Sequence, residues 1–106
     1  MPQPEVVTLC GSTRFKDAFL AEQRRLTLEG KIVVSVGLFG HEELPPDQRE
    51  RGNAVKDMLD ELHKRKIDLA DRIHVINVGG YIGKSTRGEI DYATTHGVPV
   101  TYMEEV

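Results

Sequence analysis

The segment from residue 79 to residue 89 holds the densest group of chemically active side chains in the sequence. Its glycines are interspersed with two aliphatic hydroxyls, two cations and a carboxylate, which are Lys84, Ser85, Thr86, Arg87 and Glu89. A carboxylate near the start of a helix and beside cations is expected to stay ionised, so Glu89 is suited to act as a nucleophile or to stabilise developing positive charge. Gly88 leaves space beside it for a ligand.

The same segment also fits a purely structural pattern. Thr86 and Glu89 have the spacing of a capping box, in which Thr86 caps a helix and the Glu89 carboxylate accepts a hydrogen bond from the Thr86 amide. In that arrangement the carboxylate would be folded onto the backbone and unavailable to a substrate. The residues alone leave both interpretations open.

A second loop, Gly11-Ser12-Thr13-Arg14, directly follows a short apolar run. A glycine after a buried strand lets the backbone approach a ligand, and the helix start that follows attracts anions. The two hydroxyls and the Arg14 charge would suit a phosphate or a sugar hydroxyl. The alternative is that Gly11 only forms the turn and Ser12 only caps the helix. The loop is neither a GxGxxG motif nor a Walker P-loop, so those nucleotide-binding classes are not supported.

Four short apolar runs have the composition of strands that are buried on both faces. They cover residues 6–10, 32–36, 73–78 and 98–102. Spacing and capping signals predict three helices between them: one from Ser12 or Thr13 to Gly30 with Phe15, Ala18, Phe19 and Leu26 on its apolar side, one from Val55 onward with an apolar stripe of Met58, Leu59, Leu62 and Leu69, and one over residues 87–96. Residues 37–53 lack such a pattern and predict a long loop or lid.

Strands that alternate with helices are typical of an α/β domain with a parallel sheet and right-handed crossovers. We predict a single doubly wound sheet of the flavodoxin or Rossmann-like type, with strand order 2-1-3-4 and helices on both faces. In that order the connections reverse direction between strands one and three, and such sheets bind ligands there, beyond the carboxyl ends of the strands. The two polar loops meet at this point, so topology and composition predict one site.

Length and composition limit the classes of protein that fit. A chain of 106 residues suits one domain, and its net charge of -3 gives no general attraction to nucleic acid, so no polynucleotide partner is predicted. The single cysteine, Cys10, excludes an intramolecular disulfide and a CxxC metal site, and it favours a reducing compartment. The sequence has neither a recognisable signal peptide nor an apolar run of membrane-spanning length, so we expect a cytoplasmic protein with no membrane partner.

The order of these motifs resembles that of the nucleoside 2-deoxyribosyltransferase-like family, which includes the deoxynucleoside 5'-monophosphate N-glycosidases. The resemblance extends over residues 6–102 and depends on Cys10-Gly11-Ser12-Thr13-Arg14, on Leu69-Ala70-Asp71 before an apolar strand, and on Gly88-Glu89-Ile90-Asp91-Tyr92-Ala93. It implies that Glu89 is the nucleophile that cleaves an N-glycosidic bond. It also implies that Gly11, Ser12 and Arg14 lie against the sugar or its 5'-phosphate, with Ser85 in a similar role.

One position departs from the family pattern. The family usually has an aspartate about two helical turns before the Ala-Asp pair, which positions the sugar and assists proton transfer, and this sequence has His63 there. His63 would act as an acid or base near neutral pH, although a histidine beside an apolar stripe is also common at a protein surface. Asp60 or Asp68 would take the place of the aspartate only with a shifted register.

We therefore predict an N-glycosidase or (deoxy)ribosyltransferase that acts on a nucleoside or a nucleoside 5'-monophosphate, with no cofactor and no metal. The predicted catalytic residues are Glu89 and His63. The predicted substrate-binding residues are Gly11, Ser12, Thr13, Arg14, Phe15, His41, Gly83, Lys84, Ser85, Arg87 and Tyr92. The loop that holds Phe39, His41 and Glu42 would contact the base or form a solvated connector.

Two other functions stay open at the level of sequence. Gly79-Gly80 and the segment from Ser85 to Glu89 also resemble, with different spacing, the glycine-rich signature of the lysine-decarboxylase-like phosphoribohydrolases, which likewise release a base from a nucleotide. A non-catalytic nucleotide sensor or interaction module of the same fold is the alternative that His63 favours. We also expect a homodimer or higher homo-oligomer, because family members complete each other's sites and a small chain gains burial by association.

Overall fold

A computed structural model describes residues 3–40, 43–49 and 52–105, and in these ranges it has one four-stranded sheet. The strands are β1 (Val6–Gly11), β2 (Ile32–Val34), β3 (Arg72–Ile76) and β4 (Val100–Tyr102). All pairings are parallel and the order is β2-β1-β3-β4. The prediction of a flavodoxin-like α/β fold with strand order 2-1-3-4 is confirmed.

Helices connect the strands, and their bounds differ from the predicted ones mainly at the amino-terminal ends. They are α1 (Lys16–Leu28), α2 (Pro46–Arg49), α3 (Gly52–Asp68) and α4 (Lys84–Thr95). A short 3-10 turn, Thr13–Phe15, precedes α1, and another, Val78–Gly80, follows β3. The short helix α2 lies inside the segment predicted as a loop, and α4 begins at Lys84 rather than at Arg87.

The alternation of side chains along β1 separates two layers of core. Val7 and Leu9 pack with Phe19 and Leu26 of α1 on one face of the sheet. Cys10 packs on the other face, in a cluster with Ile67 of α3 and Ala93 of α4. Successive residues of a strand point to opposite faces, so α1 covers one side of the sheet while α3 and α4 cover the other. The predicted placement of helices on both faces is confirmed.

The buried face of α3 is not the predicted one. Met58, Leu62 and Leu69 are 51%, 48% and 71% exposed, whereas His63 and Ile67 are 6% and 0% exposed. The inward-facing positions recur every four residues from Val55 through Leu59 to His63 and Ile67, and the histidine hides this stripe in a count of apolar residues. The predicted stripe is therefore wrong for Met58, Leu62 and Leu69, and its correction turns His63 toward the sheet.

The end of β3 is held by a buried amide. Asn77 Nδ2 donates to the Glu104 carbonyl oxygen at 2.9 Å, and the Glu104 amide donates to Asn77 Oδ1 at 2.8 Å. The Gly79 amide in turn donates to Glu104 Oε2 at 2.8 Å. These bonds fix the path of the chain from β3 into the loop before α4.

Among the described residues, no helix combines the length and the apolar character that crossing a membrane requires.

Candidate functional site

A cavity of about 630 Å³ opens at the carboxyl ends of β1 and β3, where the topology predicts a ligand site. Its volume lies within the range of about 300–1,000 Å³ that is usual for small-molecule pockets. The loop after β1, the chain before α4, and the inward face of α3 form its walls. Its polar lining includes Ser12, Thr13, Lys56, Asp60, His63, Lys84, Ser85 and Glu89.

The wall formed by the first loop requires glycine at its base. Gly11 has a φ of +154°, and a Cβ on it would lie 2.8 Å from the Ile76 carbonyl oxygen. The tight approach of β1 to β3 therefore excludes other side chains at this position. Ser12 both lines the cavity and caps the turn that follows, since its hydroxyl accepts from the Arg14 backbone amide at 3.4 Å and from Arg14 Nε at 3.1 Å.

Glu89 enters the cavity from the second turn of α4. The helix is preceded by Gly83 as its N-cap, and Thr86 is an interior residue that is only 3% exposed. The capping-box interpretation is therefore wrong, because Thr86 does not cap the helix. The Glu89 side chain is 19% exposed and lines the cavity, where a ligand would meet it.

Three buried groups from three different elements meet at the base of the cavity. His63 Nε2 of α3 lies 3.8 Å from Glu89 Oε2 and 3.2 Å from Cys10 Sγ of β1. The thiol has a single proton, which it can donate either to the His63 ring nitrogen or to the Glu89 carboxylate. The fold thus encloses a carboxyl, an imidazole and a thiol within one contact network.

Burial dominates the electrostatics of this network. It raises the pKa of Glu89 to about 7, with a smaller effect in the same direction from Asp60, while a hydrogen bond from Cys10 and the charge of Lys56 oppose the shift. The expectation that the helix start, Lys84 and Arg87 would hold Glu89 ionised is therefore wrong. A buried carboxyl with such a pKa changes charge near neutral pH, as a general acid or base does.

Burial also acts on the two partners of Glu89. It lowers the pKa of His63 to about 4, and the nearby charge of Lys66 adds to that effect. It raises the pKa of the Cys10 thiol well above its ordinary value, with the Glu89 charge acting in the same direction. At neutral pH the imidazole and the thiol are therefore both uncharged, and Glu89 is the member of the trio that titrates.

Most of the residues predicted to form the site line the cavity. They are Gly11, Ser12, Thr13, His63, Gly83, Lys84, Ser85 and Glu89. His41 lies outside the described residues. Arg14, Phe15, Arg87 and Tyr92 are not part of the cavity lining.

These four side chains lie elsewhere for different reasons. Phe15 packs against the core beside α1, and Arg87 is exposed on the outer side of α4. The Tyr92 hydroxyl donates to Asp68 Oδ1 at 2.7 Å, one helical turn farther from the sheet edge than Glu89. Arg14 stacks on Tyr81, whose ring lies 4.6 Å from the guanidinium carbon and lines the cavity itself.

Other lining residues were not predicted as part of the site. Asp60 lines the cavity near Glu89, and Leu44, Val55 and Leu59 give the cavity an apolar wall. Cys10 is not part of the lining, but its thiol contacts His63. The four-residue spacing of Val55, Leu59 and His63 is the signal that would place this face of α3 against the cavity. Cys10 ends the apolar run of β1 directly before Gly11, and that position alone would have placed it near the first loop.

Phe39, predicted as a possible contact for the base, packs edge to face against Phe19 with ring centroids 5.4 Å apart. Glu42, in the same loop, lies outside the described residues.

Comparisons of this chain with models of protein families, with curated proteins and with solved structures found no match.

Proposed function

We propose that the protein is an N-glycosidase or (deoxy)ribosyltransferase that acts on a nucleoside or a nucleoside 5'-monophosphate through Glu89. The observation that carries the proposal is the position of the Glu89 carboxyl, which lines a ligand-sized cavity at the switch point of the sheet. It is a buried carboxyl that neighbours an imidazole, at a place where the fold leaves room for a sugar.

The chemistry would proceed by two displacements. The Glu89 carboxylate attacks the anomeric carbon, a glycosyl ester forms, and the C–N bond breaks as the base leaves with its bonding electrons and takes up a proton. Water, or the nitrogen of a second base, then attacks the same carbon and releases Glu89. Both transition states carry positive charge on the sugar, which an adjacent carboxylate stabilises, and two inversions give retention of configuration.

Asp60 is the second carboxyl in the cavity and is suited to hold a sugar hydroxyl. It lies one turn before His63 on α3 and forms an ion pair with Lys56 at 2.8 Å. His63 is neutral at neutral pH and too enclosed to face the substrate broadly, so its part is to position the Glu89 carboxyl. In this proposal Asp60 takes the role of the aspartate that the family resemblance implies at position 63. It lies one helical turn earlier on α3.

A 5'-phosphate would fit the amino-terminal end of α4. Gly83 has no side chain to cap this helix, so the first amides of α4 are available to an anion beside the Lys84 ammonium and the Ser85 hydroxyl. The Ser12 and Thr13 hydroxyls line the opposite wall. This arrangement favours a nucleoside 5'-monophosphate over an uncharged nucleoside.

Lys84 and Arg87 form a matched pair for testing the phosphate assignment, since both are exposed cations on α4 but only Lys84 lines the cavity. We expect Lys84→Ala to weaken the binding of a nucleoside 5'-monophosphate by about tenfold, as loss of one charge-assisted contact does, and Arg87→Ala to leave it unchanged. Calorimetric titration measures both affinities. Equal affinities in the two variants would contradict the assignment.

The activity itself is tested by incubating the protein with a panel of nucleosides and nucleoside 5'-monophosphates and separating free base by chromatography. We expect base release from at least one nucleotide, and its loss in Glu89→Gln, which keeps the size of the side chain and removes its charge. Circular dichroism verifies that the variant is folded. Binding of a nucleotide without any release of base would contradict the proposal and favour a nucleotide sensor instead.

A further inference from the structure

The trio at the base of the cavity has the composition of a transition-metal site. Cys10 Sγ, His63 Nε2 and a Glu89 carboxylate oxygen all lie within 4.8 Å of one another. Thiolate, imidazole and carboxylate are the three side-chain ligands that zinc takes in proteins. The three residues come from β1, α3 and α4 and are far apart in sequence, so no spacing motif indicates this site.

Two of the distances between the three atoms are close to those around a single zinc ion. Zinc lies about 2.3 Å from sulfur and about 2.0–2.1 Å from nitrogen or oxygen, which in a tetrahedral site sets its ligands about 3.4–3.6 Å apart. The sulfur-to-nitrogen distance is 3.2 Å and the nitrogen-to-oxygen distance is 3.8 Å. Both distances lie within a few tenths of an ångström of that spacing, and all three atoms lie within 4.8 Å of one another.

The surroundings leave a fourth position for water or a ligand. Cys10 is fully buried, whereas His63 and Glu89 line the cavity, so the open side of the trio faces the cavity. Asp60 contributes a negative charge nearby, and the Lys66 ammonium donates to the Ser35 carbonyl oxygen at 2.9 Å. Three protein ligands and one open position are the pattern of zinc sites that exchange a ligand.

We propose that Cys10, His63 and Glu89 bind one Zn²⁺ ion or a divalent ion of similar softness, with the fourth coordination position open to the cavity. As the metal–sulfur bond forms, the Cys10 thiol releases its proton to solvent. Coordination occupies one oxygen of the Glu89 carboxylate and makes the other less nucleophilic, so the bound ion suppresses attack on a sugar. This consequence for activity rests on the proposed function, whereas the metal site itself does not.

Metal binding is tested by titrating the chelator-treated protein with Zn²⁺ and with Mg²⁺ in a calorimeter. We expect one Zn²⁺ per chain and no measurable heat with Mg²⁺, which prefers oxygen ligands and an octahedral shell. Replacement of Zn²⁺ by Co²⁺ gives an absorption band from sulfur-to-cobalt charge transfer if Cys10 is a ligand. This spectrum needs only the wild-type chain, so it remains decisive if a Cys10 variant does not fold.

Variants assign the ligands. We expect Cys10→Ser, His63→Gln and Glu89→Gln each to weaken Zn²⁺ binding by at least about tenfold, since even loss of a group that only supports a ligand has an effect of that size. The matched controls His96→Gln and Glu61→Gln change exposed side chains of the same types and are expected to bind as the wild type does. A Co²⁺ complex without the charge-transfer band, or equal Zn²⁺ affinity in all five variants, would overturn the proposal.

The two proposals fail in different ways. Stoichiometric Zn²⁺ binding by a protein that releases no base would leave the metal site in place and contradict the glycosidase. Base release by a protein that binds no Zn²⁺ would do the reverse. If both hold, we expect one equivalent of Zn²⁺ to abolish base release and a chelator to restore it.

Discussion

At the scale of single residues, the proposed cleavage depends on a carboxyl group whose pKa burial places close to neutral pH. Glu89 has a pKa of about 7, and a nucleophile must be ionised. In metal-free protein we therefore expect kcat/KM to rise with pH and to level off above about 8, since the ionised fraction of the free enzyme controls this parameter. An initial-rate series across the pH range measures the midpoint.

Asp60 offers a check on the cause of that midpoint. Its charge contributes to the raised pKa of Glu89, so Asp60→Asn should move the midpoint to lower pH. Glu61 is adjacent in sequence but exposed, and Glu61→Gln should leave the midpoint in place. A midpoint that shifts equally in both variants would show that Asp60 does not act on Glu89 as described.

Glu89 and His63 make contributions to the stability of the fold that change with pH in opposite directions. The pKa of Glu89 is raised from 4.5 to about 7 on folding, so its contribution is complete below about 4.5 and is lost as pH rises through 7. The pKa of His63 is lowered from 6.5 to about 4, so its contribution is complete above about 6.5 and is lost as pH falls toward 4. In the wild type the two trends largely offset each other.

Because the two contributions offset each other, a variant that lacks Glu89 differs from the wild type in how its stability changes with pH. We expect Glu89→Gln to be more stable than the wild type at pH about 8, by on the order of 3 kcal/mol for a shift of this size, and to lose that advantage by pH about 4. Urea denaturation of metal-free protein at several pH values measures the difference. A difference that does not change with pH would contradict the burial of the Glu89 carboxyl.

At the scale of elements, the inward face of α3 determines both the core and the site. Ile67 is fully buried and continues the face that presents His63, whereas Leu69 is 71% exposed. Ile67→Ala should therefore lower the free energy of unfolding by about 2–5 kcal/mol, and Leu69→Ala by no more than about 0.5 kcal/mol. Chemical denaturation of the two variants measures this, and equal losses would contradict the register of the helix.

This helix also marks the limit of prediction from sequence at the element scale. The strands follow from buried apolar runs, and their parallel pairing follows from their alternation with helices, so both were predictable. The face of α3 was not, because His63 occupies an inward position as a polar residue while Met58 and Leu62 are apolar and half exposed. A periodicity count scores residue type, whereas the packing partner decides which face is buried.

At the scale of the whole molecule, the predicted site and the observed cavity coincide because topology alone determines where parallel strands end. Topology therefore places two loops that are far apart in sequence side by side, whatever their side-chain contacts. The charge of Glu89 was not predictable in the same way. It depends on how much of the side chain the fold encloses, because this burial raises the pKa of Glu89. The helix start and the neighbouring cations, read from the sequence, indicate a lowered pKa instead.

The expected homo-oligomer stays a prediction. Apolar side chains on α3 and directly after it would lose exposure in an assembly, since Met58, Leu62 and Leu69 are each about half exposed or more. Sedimentation equilibrium should give a mass of two or more chains, and Leu69→Glu should shift the equilibrium toward the monomer. A monomer at every concentration would contradict the expectation.

The central claim is that Glu89 forms a bond to the sugar, and a covalent glycosyl-enzyme is its most direct sign. Metal-free protein is mixed with the nucleoside 5'-monophosphate that it cleaves, quenched in acid during turnover, digested and examined by mass spectrometry. The account predicts that the peptide containing Glu89 gains the mass of the sugar phosphate, and that Glu89→Gln gains nothing and releases no base. Base release by Glu89→Gln at the wild-type rate, without any adduct on the wild-type peptide, would contradict it.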